Sequence, residues 1–184
     1  MQKYRGFAFL IEPNDSLYSP NWYESLSNWL IMRTNNKIII GIDPDVEKSG
    51  LFLIDMRTID GEFYKYEMYE LPFFSALSKI QHTFNEFFET CEVVVVIEQG
   101  ELNKAIYVAK NAKNKSIAAN IGMRVGKNFQ VSQLLIEYCK EYSINHKTYR
   151  PQSKKWNAKF VLQFGIKKTN ETKRDALRCA MSEI

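Results

Sequence analysis

Cysteine and histidine are scarce: three Cys (Cys91, Cys139, Cys179) and two His (His82, His146) in 184 residues, with no paired spacing among them. That excludes a disulfide framework and a Cys/His zinc site, and it suits a reducing compartment, so a cytoplasmic location is expected. No apolar run approaches the roughly 20 residues a spanning helix needs, and no early stretch has the basic flank and small-residue cleavage site of a signal peptide. No membrane partner is therefore expected. Internal repeats and low-complexity tracts are missing, as is the Gly-x-x-x-x-Gly-Lys-Ser/Thr phosphate loop. What remains is a chain 45% hydrophobic and 25% charged, long enough to bury a core without covalent staples.

The charge is unevenly distributed. Residues 1–100 carry 8 Lys+Arg against 15 Asp+Glu, net −7, whereas residues 101–184 carry 17 against 6, net +11. A basic half gains affinity for a polyanion by releasing its condensed counterions, although a cationic surface can also be merely solvated. Six cations, Lys104, Lys110, Lys113, Lys115, Arg124 and Lys127, fall in one stretch with no acid among them. With Asn111 they form a loop entering a helix, a pattern suited to phosphate contacts. Lys154 and Lys155 add two more near the start of a later helix, where contact with a nucleic-acid strand and a plain surface role are equally open.

Residues 1–36 read as an extension with a short helix from Pro20 to about Met32. From Lys37 the pattern changes. "KIIIGID" is a continuous apolar run, the mark of a strand buried on both faces, and it ends at Asp43. "GLFLID" and "EFYKYEMYE" follow as the second and third strands of a meander. Helical spacing covers Phe74 to about Thr90, and a second wholly apolar run, Val93–Ile97, stops at Glu98. A long helix is predicted over Ser116–Tyr142, a short strand near His146–Tyr149, and two closing helices over about 153–164 and 170–183. This order gives an α/β domain over 37–184: a mixed five-stranded sheet, a three-strand meander and two further strands, flanked by helices. The two most apolar strands belong at its centre, parallel and adjacent, with Asp43 and Glu98 at their carboxyl ends, where such sheets bind ligands.

Adjacent strands lie about 4.8 Å apart, so these carboxylates would be held close together. Two close anions repel; one must take up a proton or a cation must sit between them. Oxygen-only ligands favour a hard ion such as Mg²⁺ or Mn²⁺. Glu171 and Asp175, four residues apart on one helical face, could close the site, and three or four carboxylates can hold the two ions that clamp an in-line phosphoryl displacement. Taken singly, each acid has a plainer reading: Asp43 capping a turn, Glu98 ending a strand, Asp175 paired with Lys173, Arg174 or Arg178. Asp45, after Pro44, reads as a turn former.

"GIDPDVEKSG" (41–50), "VVVVIEQ" (93–99), "AKNAKNKSIAANIGMRVG" (109–126) and "RDAL" (174–177) resemble, in order and spacing, the RuvC-type Holliday junction resolvases of the RNase H-like superfamily. The basic "RPQSKKW" (150–156) is similar to the phage or prophage branch. The resemblance implies a homodimeric endonuclease that cuts four-way or other branched DNA with two divalent ions per site, leaving a 5′-phosphate and a 3′-hydroxyl. Carried over residue by residue, Asp43 would bridge the ions, and Glu98 and Asp175 would complete one ion's ligands each. Thr172 stands where the family has a second acid or a His; Glu171, one residue earlier, is the candidate substitute. Tyr107 is the candidate for the strand-separating aromatic, and the long helix with Gly122 and Gly126 for a subunit contact. An RNase H-like nuclease for RNA or another DNA structure, and a catalytically silent nucleic-acid-binding module, stay open as alternatives.

Overall fold

The computed structural model describes residues 36–57, 65–102, 115–152, 155–162, 166 and 169–184. The expected N-terminal extension lies outside them, apart from Asn36. The described elements are β1 (Lys37–Asp43), β2 (Ser49–Asp55), β3 (Lys65–Leu71), α1 (Phe73–Phe87), β4 (Glu92–Glu98), a 3₁₀ turn (Gly100–Leu102), α2 (Lys115–Glu141), β5 (Asn145–Tyr149), α3 (Ala158–Leu162) and α4 (Glu171–Met181). None of these helices is long and apolar enough to cross a membrane.

The strands form one mixed sheet in the order β3-β2-β1-β4-β5, the mixed five-stranded sheet that the sequence predicts. β1 pairs antiparallel with β2 and parallel with β4, and β5 adds parallel to β4 at the edge. Burial follows the apolar runs: β1 from Lys37 to Ile42 and β4 from Val93 to Ile97 are wholly buried, because helices cover both faces.

Side-chain alternation along the strands then sorts two cores. Ile38, Ile40, Ile42, Val93, Val95 and Ile97 face one side, with Ile80 of α1 and Val131, Leu135 and Cys139 of α2. Ile39, Phe52, Ile54, Val94 and Val96 face the other, with Ala176, Leu177, Cys179 and Ala180 of α4. Full burial of a side chain such as Leu177 contributes about 2 kcal/mol. Asp43 and Glu98 continue the second series, 39-41-43 and 94-96-98, so strand parity points both acids toward α4.

Two glycines allow α4 to lie close on the sheet. A methyl group at Gly41 would overlap the Ala176 carbonyl and the Ala180 amide, and one at Gly50 would overlap the Thr172 carbonyl. Any side chain there would lift the helix off β1 and β2.

Helix ends differ slightly from the periodicity. Asn170 is the N-cap of α4, accepting from the Lys173 amide at 3.0 Å, and so stands outside the helix it starts. The helix predicted over 153–164 is confined to 158–162 among the described residues. The Asn157 side chain accepts from the Phe160 amide at 2.8 Å and caps the turn late, which takes the amide that would otherwise bond the Trp156 carbonyl in a helical ladder; that carbonyl accepts from Arg174 Nε at 2.8 Å. Beyond α2, Ser143 takes a left-handed conformation with φ of 54° to reverse the chain into β5.

Candidate acidic site

The site is assembled by the parallel pairing of β1 and β4. Ile42 is paired with Ile97, so Asp43 and Glu98, the next residues, end neighbouring strands on one face. α4, drawn in over Gly41 and Gly50, brings Asp175 to the same place, with its side chain only 3% exposed. Three acids distant in sequence thus meet at one sheet end.

Their protonation reflects the crowding. Burial, and then the charges of Glu98 and Asp175, push the Asp43 carboxyl up to about 8. Burial and the Asp175 charge also raise Glu98 above the usual carboxylate range. The repulsion expected between strand-end anions is therefore present, and a cation answers it: the Lys155 ammonium hydrogen-bonds Asp175 Oδ2 and lies 3.4 Å from Glu171. Burial alone would lower the Lys155 pKa, but the Asp175 hydrogen bond and the charges of Asp175, Glu98 and Asp43 outweigh it and hold it up.

Lys155 is delivered by a bracing network that single-residue reading would assign differently. Arg174 and Arg178 do not pair with Asp175. Arg174 donates to the Trp156 carbonyl, and Arg178 donates to the Gln152 carbonyl at 3.1 Å while lying over the Tyr149 ring at 6.0 Å. Both therefore pin the segment that carries Lys155 onto α4. Lys155, expected as a contact for nucleic acid, faces inward to the acids in this structure.

Two residues missed by sequence reasoning join the site. Cys179, one helical turn beyond Asp175, donates its thiol to Glu98 Oε2 at 3.9 Å; burial and then the charges of Glu98, Asp43 and Asp175 hold it protonated, well above the usual thiol range. The i, i+4 spacing from Asp175 was the available signal. Asn128 of α2 donates to Asp45 Oδ2 at 3.2 Å and accepts from the Val46 amide at 3.1 Å, fastening the loop after β1 to the long helix. Nothing in the sequence pattern marks it. Asp45 itself accepts from the Glu47 amide at 2.8 Å, the turn-forming role expected of it.

Among the described residues no group of three or more His, Cys, Asp or Glu side chains stands in a geometry that would hold a metal ion. Asp43, Glu98 and Asp175 are brought to one end of the sheet, but Asp175 is turned to Lys155. Glu171 is exposed on the same helical face and shares that lysine. Of the residues expected to contact nucleic acid, Lys104, Tyr107, Lys110, Asn111, Lys113 and Lys154 lie outside the described residues. Lys115 begins α2, Lys127 is exposed on it, and Arg124 is 75% exposed with Glu47 at 3.6 Å. The first sixteen residues of α2, as far as their side chains are described, are exposed or half-buried, with Ile117, Ile121 and Met123 open to solvent, and a methyl group at Gly126 would meet nothing within 4 Å.

No protein-family model matches the chain, and no curated protein matches it. Among solved structures, RuvC of Thermus thermophilus in complex with Holliday junction substrate is similar, with 16% identity and a TM-score of 0.45 over 79% of this chain and 91% of that one. A structure of Thermus thermophilus RuvC is similar with 16% identity and a TM-score of 0.42, over 79% and 92%.

Proposed function

We propose that this chain is a divalent-metal-dependent DNA endonuclease of RNase H-like type that cuts branched DNA, four-way junctions in particular, to 5′-phosphate and 3′-hydroxyl ends. The observation that carries the reading is the convergence of Asp43, Glu98 and Asp175 at the carboxyl ends of the two central strands, with Asp43 raised to about 8. A buried concentration of like charge is costly unless a cation is used there. The donor chemistry fits Mg²⁺ or Mn²⁺: carboxylate oxygens, with the one nearby thiol held protonated. Asp43, Glu98 and Asp175 would hold two such ions, with Glu171 as the fourth acid. Bound there, the ions would polarise the phosphate and lower the pKa of an attacking water.

The chain's own residues do the rest. β1, β4 and α4 fix the acids on rigid elements, and Cys179 orients Glu98. The cations of the basic loop, Lys104, Lys110, Lys113 and Lys115, with Arg124 and Lys127 on α2, would contact DNA phosphates, with Asn111 and Lys154 beside them and Tyr107 stacking on an opened base. The exposed apolar residues of α2 and the open space at Gly126 support a homodimer through that helix, which would give two sites for two opposed strands.

Cleavage of labelled four-way junction, matched duplex and RNA/DNA hybrid with Mg²⁺, Mn²⁺ or EDTA tests the reading. Paired, metal-dependent nicks confined to the junction, lost in Asp43→Asn, are expected. Cutting of the hybrid or duplex instead would refute the junction substrate, and tight binding without cutting would make the chain a silent binding module.

A further inference from the structure

We propose that Lys155 is an exchangeable internal counter-cation: it neutralises the acid cluster in the metal-free protein, and a divalent ion must displace it to bind. The inference rests on the metal reading of the site and concerns what that reading leaves unexplained, namely why a lysine occupies Asp175. Its ammonium hydrogen-bonds Asp175 Oδ2 and lies 3.4 Å from Glu171. Asp175 is 3% exposed and needs a partner, whereas Lys155 is 50% exposed and can leave by turning its four-carbon stem toward solvent.

The neighbouring cations lack that freedom. Arg174 and Arg178 donate to the Trp156 and Gln152 carbonyls, so they hold the backbone on either side of Lys155; Arg178 acts on Glu98 through its charge from that fixed position, while the Lys155 side chain bonds Asp175. Residues 155–157 adopt no regular structure, so Lys155 is carried on irregular backbone rather than on a helix or strand. The arrangement sets two arginines fixed on backbone oxygens beside one movable ammonium on Asp175. Loading is then an exchange of cations. Ion affinity is lowered by whatever Lys155 contributes, and the metal-free chain folds without burying an unpaired Asp175.

The experiment measures Mn²⁺ binding to the full chain and to Lys155→Met by calorimetry, thermal midpoints in EDTA, and acylation of Lys155 in the wild-type chain by mass spectrometry with and without Mn²⁺. The exposed Lys140 serves as the internal reference. Lys155→Met is expected to bind Mn²⁺ roughly tenfold more tightly and to melt several degrees lower in EDTA. In the wild type, Mn²⁺ should speed Lys155 acylation several-fold and leave Lys140 unchanged. Equal Mn²⁺ affinity in the two proteins overturns the exchange while keeping the metal site. Absence of Mn²⁺ binding in both overturns the metal reading and the exchange together. If Lys155→Met does not fold, the acylation measurement decides alone: a rate indifferent to Mn²⁺ overturns the proposal.

Discussion

Replacing Asp43 with asparagine should make the metal-free protein more stable, and the size of the gain follows from the acid's surroundings. The Asp43 carboxyl stands at about 8 in the folded chain against an ordinary 3.8. Between those values the folded state binds a proton that the unfolded state releases. The group's contribution is therefore complete below pH 3.8 and is lost progressively as pH rises toward 8. At pH 7 the loss amounts to about 4 kcal/mol, at about 1.4 kcal/mol per pH unit. Asparagine matches the protonated side chain in shape and cannot ionise, so Asp43→Asn should escape this loss. Denaturant unfolding in EDTA at pH 5, 6, 7 and 8, followed by tryptophan fluorescence, would read the difference. The variant's advantage should widen by about 3 kcal/mol from pH 5 to pH 7. Excess Mn²⁺ should shrink it again, by about 2.7 kcal/mol at a free ion concentration 100 times Kd, since the variant lacks a ligand. Parallel stabilities at all pH values would refute the crowding argument.

Three other perturbations probe different parts of the molecule. Gly41→Ala should cost at least about 3 kcal/mol in denaturant unfolding, because the added methyl meets helix backbone rather than a side chain that can move aside; a near-neutral result would mean that α4 does not lie as close as described. Glu183 lies 2.5 Å from the buried Lys37 and 2.8 Å from Lys147, and although burial alone would raise its carboxyl, hydrogen bonds from both lysines outweigh this and hold it below the usual range. Its stabilisation is present above about pH 4.5 and is lost as pH falls through the lowered value, so Glu183→Gln should cost roughly 2–3 kcal/mol at pH 7 and progressively less as the pH falls below the usual carboxylate range. Neutralising Lys113 and Lys115 should weaken junction binding and flatten its dependence on log salt by about one unit per lost phosphate contact, and an unchanged slope would place the loop away from DNA.

The sheet was legible because its central strands are unambiguous. Two seven-residue segments, Lys37–Asp43 and Glu92–Glu98, are apolar but for their ends, so they had to be central, and strand period then put both terminal acids on one face. Asp175 was legible from helical spacing. The inward turn of Lys155 was not, because a lysine in a polar segment reads the same whether it meets solvent or a carboxylate; it rests on tertiary bonds, among them those of Arg174 and Arg178 to backbone carbonyls, that have no periodic signature. For the same reason the start of α3 was placed early: an asparagine side chain and a captured carbonyl, neither periodic, set the boundary. The tight seat of α4 turns on Gly41 and Gly50, whose role appears only when the helix is laid over them.

The docking of α4 also ties two events together. Its acids are spread over residues 43, 98 and 175, and the last of them reaches the sheet only when the helix over Glu171–Met181 has settled on β1 and β2. Without that helix one face of the sheet, with Ile39, Val94 and Val96, would lie bare, so the third carboxylate arrives together with the closing of the second core. The gathering of the acids and the burial of the sheet are in this way one event, and a copy truncated before Glu171 would lack both.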